Sequence, residues 1–490
     1  MNATAKLEIS VLAVAIMLGT LGDALLRCFP WGMNFALWGI LLATAILLLS
    51  RTCRQIFVGS GRWLLLPLLL SPLGFLWRDS PPLKALSIMA LLTGLSLVML
   101  RAYGGRLTTA SLMQYTLGGL LAGLNAAVGI FPLLLRDRAW TTAFGGNQLR
   151  KTAAVLVGLA LAIPPLLVFG ALFMGADAVF RTFVLRFLRA VPSHVVVIAI
   201  ISYLVGGYLR GLLFGKERRL ESGKRLLPVS LGTIEMTVML GAIDLLFLSF
   251  VAVQVRYFFG GSELVQATTG LTYAAYARHG FFELVTVAAL ILPFLLFIHW
   301  LMQPSDAPGH LIFRWLATAQ IVLLFVVMSS AFQRLRLYQA AYGMSEQRLY
   351  PTAFLGWLAV VLVWFCLTVL RGRRERFAFG AMVAGFMLIA TLHLLDPDAL
   401  IARSNLARGR TGQLFDARYA ASLSADATPE LIAGLSALPP PDRCTVAKRL
   451  LDRWSGEIDW RSWSMSRARA IAAVNVNAQA LRAACQPGKR

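Results

Sequence analysis

The sequence predicts an all-α fold: a polytopic transmembrane helical bundle of about 12 spans over residues 1–395, with a small polar all-helical domain over 396–490. Three observations predict it. Of 490 residues, 58% are hydrophobic and 14% charged, against roughly 25% charged in an average soluble domain, and mean hydropathy is +0.71. Apolar runs recur at about the 20 residues needed to cross a bilayer core. After Leu395 those runs stop and charge returns.

In chain order, a window of about 19 residues marks spans over 8–26, 32–50, 62–77, 85–100, 111–135, 152–174, 194–214, 232–259, 281–301, 315–333, 353–370 and 378–395. The third and fourth are short. Trp31, Trp63, Trp77, Trp300 and Trp315 fall at span ends, where amphipathic rings sit at headgroup level. Pro164-Pro165 marks a kink that neighbouring helices can re-satisfy. Residues 177–190 interrupt Phe, Val and Leu with Arg181, Arg186 and Arg189, the pattern of a helix lying in the interface. The N-terminus holds only Lys6 before an apolar run broken by Asp23, so a retained first span is expected rather than a cleaved signal.

The net charge of +23 resembles that of a nucleic-acid binder, but no reader motif is present. The basic residues concentrate instead in short loops: Arg136, Arg138, Arg150 and Lys151; then Arg210, Lys216, Arg218, Arg219, Lys224 and Arg225; then Arg371, Arg373, Arg374 and Arg376. Even numbers of spans separate these loops, so all three are expected on the cytoplasmic side. Residues 256–280, 332–352 and the tail are then expected outside, with lipid as the surrounding partner.

The tail holds 14 Lys and Arg against 7 Asp and Glu beyond Asp396 and Asp398, a mild argument against export, although long domains cross largely regardless of charge. Apolar residues recur at helical spacing in DATPELIAGLSAL and CTVAKRLLDRW, split by Pro439-Pro440-Pro441. Asp426 or Thr428 can cap the first of these helices, with Pro429 in its first turn. Five cysteines show no CxxC and no metal-ligand spacing. Cys366 reads as a small core hydrophobe, and Cys444 and Cys485 can pair if the tail is outside.

Ionisable groups at membrane depth are expensive and are functional candidates by default. Asp23 is late in the first span, Glu235 early in the eighth, and Asp244 near its middle. A central Asp costs about 2.5–3.5 kcal/mol on the translocon scale, so Asp244 requires a partner, a water-filled cavity or a proton. A carboxylate bonded to a neighbouring helix and an ion or substrate path both satisfy that requirement. His299 and His393 read as interfacial imidazoles. In YAAYARHGFFEL, Tyr273 to Leu284, a helix would place Tyr273, Tyr276 and Glu283 within about 80° of arc, with Arg278 elsewhere. In QRLRLYQAAYGMSEQRLY, Gln333 to Tyr350, Arg334, Tyr338 and Tyr342 form an i, i+4, i+8 stripe, Gly343 is a natural helix stop, and Arg348 follows. Tyr hydroxyls, Arg forks and a carboxylate at one face suit an anionic or sugar-like ligand. An aromatic girdle with basic anchors explains the same residues without one.

YAAYARHGFFEL also resembles the YAxYARxGFFEL-type signature of an uncharacterised bacterial membrane family, domain of unknown function 4173, with a related family numbered 4153. GADAVF (Gly175 to Phe180), AYGMSEQRLY, DPDALIARSNL (Asp396 to Leu406), LSADATPEL and DWRSWSMSRARA resemble further strings of that family in the same order, from about 170 to 470. AYGMSE departs mildly from the commoner Leu-Thr pair. The resemblance implies fold and location. It carries no reaction and therefore no catalytic role.

HExxH, GxSxG, a P-loop and GxGxxG opening a helix after a strand are absent, and no cofactor or metal is implied. The leading expectation is a non-enzymatic membrane protein handling or sensing a small solute, ion or lipid at the outer face through Asp244, Tyr273, Tyr276, Glu283, Arg334, Tyr338, Tyr342 and Arg348. No convincing internal repeat supports a transporter. The alternative is a sensor or assembly partner that binds an envelope protein through 396–490. A third, an envelope-lipid enzyme, needs a carboxylate pair such as Asp396/Asp398; DPDA is more simply a helix cap.

Overall fold

The computed structural model describes residues 3–53, 56–135, 169–170, 172–182, 193–215, 232–259, 281–302 and 307–485. Among them the fold is all-α, without strands. Ten described helices are long and apolar enough to cross a membrane, and they match ten of the twelve expected spans. The span expected over 111–135 is broken into α5 (Leu112–Val128) and α6 (Ile130–Leu135). Most of 152–174 lies outside the described residues, as does 183–190 of the expected interfacial stretch. Residues 178–182 of that stretch are helical, and the Asp177 carboxylate accepts from the Phe180 amide at 2.6 Å.

The chain divides into two compact units. The first is Met1–Ser222 with Glu457–Met465. It holds α1 (Ala3–Leu26), α2 (Met33–Cys53), a 3-10 turn (Gly59–Leu64), α3 (Leu65–Trp77), α4 (Pro81–Ala102), α5, α6 and α7 (Ser193–Phe214). Polar donors inside it are aimed at backbone carbonyls, because lipid offers no competing acceptor. Trp38 donates to the Leu18 carbonyl at 3.0 Å, Tyr208 to Leu95 at 2.9 Å, and Tyr203 to Ala127. Small residues let the helices approach. A Cβ at Gly207 would stand 2.5 Å from the Asn125 carbonyl oxygen, so only glycine suits this crossing of α5 and α7.

α1 and α7 run antiparallel. Ala15 lies beside Gly206, Gly19 beside Ser202, and Asp23 beside His194. Alternation over the five spans expected between residues 27 and 193 would put these helix ends on opposite faces. The contacts put them together at one end of the unit.

At that same end, Glu457–Met465 joins the turn between α1 and α2. The Met33 amide donates to the Trp463 carbonyl at 2.9 Å, and Arg461 donates to the Ala24 carbonyl at 3.4 Å. Asn34, fully buried, organises the turn. Its Oδ1 accepts from the Gly32 and Phe35 amides, both at 2.8 Å, and its Nδ2 donates to the Leu25 and Cys28 carbonyls at 3.0 and 2.6 Å.

The second unit is Gly223–Gly456 with Ser466–Arg490. Its spans are α8 (Thr233–Phe259), α9 (Phe281–Leu301), α10 (Ala307–Tyr342), α11 (Glu346–Thr368) and α12 (Phe377–Leu395). They bury one continuous apolar cluster, with Leu240, Leu295, Leu324 and Phe365 at its centre. α10 has 36 residues, about 54 Å at 1.5 Å per residue, so it runs past its apolar stretch and ends at Gly343, where φ is +82°. A left-handed glycine is the common way to close a helix.

Beyond Leu395 come α13 (Pro397–Arg410), α14 (Ala417–Ala420), α15 (Thr428–Gly434), α16 (Pro440–Trp454), α17 (Met465–Val476) and α18 (Ala478–Ala483). These tail helices have their own core around Ile401, Leu431, Val446, Leu450 and Val474. Cys444 and Cys485 form a disulfide joining α16 to the end of α18. Pro429 lies in the first turn of α15, but Asp426 does not cap it. The Asp426 carboxylate is taken by hydroxyls instead: Ser424 donates to it at 3.1 Å, and Ser466 donates to its other oxygen.

Candidate functional site

Asp244 lies near the middle of α8. Both of its carboxylate oxygens are buried and have no hydrogen-bond partner. α10 packs directly against α8 and carries Gln320, which is 0% exposed with neither amide atom bonded. On α11, the Trp357 indole N–H is likewise buried without an acceptor. Burying such groups unbonded costs roughly 1–3 kcal/mol each by protein mutational data, and more for a charge at bilayer depth. Three of them fall on spans of one bundle; the other buried unbonded side-chain atoms among the described residues are one serine hydroxyl and the Nε of Arg348, Arg408 and Arg443. A carboxylate and an amide oxygen are hard ligands suited to a proton or a cation, while an amide N–H and an indole N–H donate. Among the described residues, no group of three His, Cys, Asp or Glu could hold a metal ion.

The second string forms a different constellation. Tyr338 and Tyr342 come from the last turns of α10, and Arg348 comes from the first turn of α11. The Arg348 guanidinium lies 4.1 Å from the Tyr338 ring centre and 5.8 Å from that of Tyr342. Its Nη1 donates to the Gly343 and Tyr342 carbonyls at 2.5 and 3.2 Å. From α13, Arg408 donates to the Ala340 and Ala341 carbonyls at 2.7 and 3.4 Å. Asn405 accepts from the Met344 amide and donates to the Met344 carbonyl, both at 2.8 Å. A helix leaves its last carbonyls unpaired, with partial negative charge; here two arginines and one amide take them up. AYGMSEQRLY and DPDALIARSNL, read separately in the sequence, meet at this clamp.

Of the other sequence candidates, Arg334 is half-buried on α10 and engaged with a neighbour. Glu283 is exposed in the first turn of α9. The contacts of Tyr338, Tyr342 and Arg348 include neither Glu283 nor Asp244. Tyr273 and Tyr276 lie outside the described residues.

Under the clamp the tail buries carboxylates. Asp396 caps α13 by accepting from the Ala399 amide at 3.3 Å. Asp398, 0% exposed, accepts from the Ser424 amide at 3.2 Å. Burial pushes its carboxyl up to about 7, with the charges of Glu346 and Asp426 adding to the rise and hydrogen bonding by Ser424 opposing it. Tyr419 accepts from the Glu346 amide at 2.9 Å. In the first unit, Asp23 pairs with Arg27 at 2.5 Å and His194 at 2.6 Å, a satisfied cluster at a span end. Asp459, exposed, is drawn down to about 2 by hydrogen bonds from Arg461.

Gln320 and Asn405 were not among the site residues expected from sequence, and Asp398 entered only with Asp396 as the carboxylate pair that a lipid enzyme would need. Gln320 leaves a signal, an amide inside LATAQIVLLF. Asn405 leaves none, since an asparagine on a polar helix is ordinary until its partner is known.

A family model described as Domain of unknown function (DUF4153) matches residues 65–434; this is the family related to 4173, whose strings the sequence resembles, and not 4173 itself. No curated protein matches the chain, and no solved structure does.

Proposed function

From a chain that belongs to the DUF4153 family and is an integral membrane protein by its apolar helices, we propose a carrier or sensor of a small ion or solute, with Asp244 as the binding carboxylate and Gln320, on the span packed against it, as a second ligand. One observation carries the reading: a carboxylate and an amide, both buried and both unbonded, on two spans that pack together. The outer cluster of Tyr338, Tyr342 and Arg348, with Glu283, Arg334, Tyr273 and Tyr276 in the neighbouring strings, is the proposed mouth for a solute or lipid headgroup. In vesicles loaded with a pH- or Na+-sensitive dye, the intact chain is expected to dissipate a proton or Na+ gradient. Asp244→Asn should slow that at least tenfold, and Gln320→Leu should weaken it. Equal rates for the wild type and Asp244→Asn would sink the proposal.

The same reading puts the protein in the bacterial cytoplasmic membrane with the tail outside. The basic loops around 216–225 and 371–376 support it, as does the Cys444–Cys485 disulfide, since disulfides persist in oxidising compartments. In a Cys28→Ser, Cys53→Ser, Cys366→Ala background, a membrane-impermeant reductant applied to intact cells should make both tail thiols reactive to a bulky maleimide. Reactivity appearing only after lysis would reverse the orientation.

A second reading, recruitment of an envelope protein by the tail, draws on a groove of about 420 Å³ lined by Ile432, Leu435, Leu481 and Arg443. Ile432→Glu in the groove separates the two, because a carrier keeps flux where a scaffold loses its partner.

A further inference from the structure

We propose that the short turn joining α11 to α12 is a docking surface for the phosphate of an anionic phospholipid, in the leaflet that meets this end of the second unit. The inference is independent of the ion- or solute-handling role given to Asp244.

Arg371, Arg373, Arg374 and Arg376 share this turn with a single acid, Glu375, and all five side chains are exposed. Among the described residues, none of the five side chains makes a hydrogen bond or an ion pair. The backbone beneath them is nevertheless fixed. The Arg371 and Arg373 amides both donate to the Thr368 carbonyl, at 3.2 and 2.8 Å, and Gly372 turns the chain with φ of +74°. From α11, the Trp364 indole donates to the Arg376 and Phe377 carbonyls at 3.4 and 3.2 Å. It lies against Gly380, where a Cβ would overlap its ring. Like charges that the protein leaves uncompensated attract anions. Because the turn is already ordered, little entropy is left to oppose binding.

Depth selects a lipid as the anion. α11 ends at Thr368, Val369 and Leu370 are buried, and the apolar span of α12 begins at Arg374. The turn is therefore flush with the two spans it joins, at headgroup level. The α9–α10 connection is at the same end: His299 feels the charge of Arg374 and lies 5.7 Å, ring to ring, from His310. There α10 carries Arg314, exposed and without a side-chain partner, next to Trp315, which is 72% exposed. An arginine on the open face of a span reaches for the headgroups, where Trp rings also settle. Guanidinium forks match phosphate oxygens two at a time. A zwitterionic headgroup brings its own cation beside the phosphate, whereas an anionic one leaves that place to the arginines.

The test uses the full chain in detergent micelles, with phosphatidylglycerol and phosphatidylcholine supplied in equal amounts and bound lipid counted by native mass spectrometry. The wild type should hold phosphatidylglycerol in preference. Replacing Arg373, Arg374 and Arg376 together by Gln should weaken that binding more than tenfold, at about fivefold per basic residue near a lipid surface. Phosphatidylcholine should be held as before. These side chains are exposed and unbonded, so the fold does not depend on them. Arg410→Gln, Arg418→Gln and Lys448→Gln, combined, remove as much charge from exposed positions in the tail and should leave the preference unchanged. Equal binding of the two lipids by the wild type overturns the proposal, as does an equal loss in the tail variant. Displacement of the lipid by millimolar inorganic phosphate would also overturn it, by making the occupant a soluble anion.

Discussion

Asn405→Ala is expected to raise exchange of the Met344 amide about 30- to 1,000-fold at constant pH, with the spans intact. The side chain accepts from one backbone group and donates to the other, both at 2.8 Å. Alanine leaves an amide and a carbonyl unpaired in a turn that is only half-buried, at the lower part of the usual penalty, about 1–2 kcal/mol each, or about 2–4 kcal/mol together. Asn405→Asp separates the two bonds, because it can still accept but no longer donate, and should recover part of the loss. Arg408 and Arg348 would continue to hold Ala340 to Gly343, so α10 should keep its length. An unchanged Met344 exchange rate would show that the clamp contributes nothing.

Cys444→Ser should destabilise the tail by about 4 kcal/mol, the chain-entropy value for a loop closed over some 40 residues; the two cysteines are 41 apart. Small domains draw much of their stability from such links. The loss should fall on α16 and α18, which the bond joins, and should appear as new protease cutting around Leu438–Trp454, while the span helices resist as before. A tail equally resistant when reduced would mean that its core around Leu431, Val446 and Leu450 suffices alone.

The sequence was most legible where the physics is local. A span is a property of about 20 consecutive residues, so ten of the expected spans recur as helices, and the stop at Gly343 was readable from one glycine. Asp244 stood out because hydropathy makes a mid-span carboxylate conspicuous. The early crossing count was not legible, since it depends on which helix ends meet. Asp23 and His194, 171 residues apart, answer that only by touching.

By itself the sequence determined an all-α membrane protein, the place of most of its helices, the polar tail, and the anomaly of Asp244. Periodicity and hydropathy act along the chain and leave a mark within each segment. Only the tertiary structure decided that Gln320 is buried unbonded in the same bundle as Asp244. It alone decided that Arg348, Asn405 and Arg408 close one helix end, that Asp398 sits among acids, and that residues 457–465 join the first unit. Each of these depends on what a distant segment brings to the same place. The free energy of a polar group is set by that company: an asparagine in water costs nothing, and the same asparagine under a turn holds it shut.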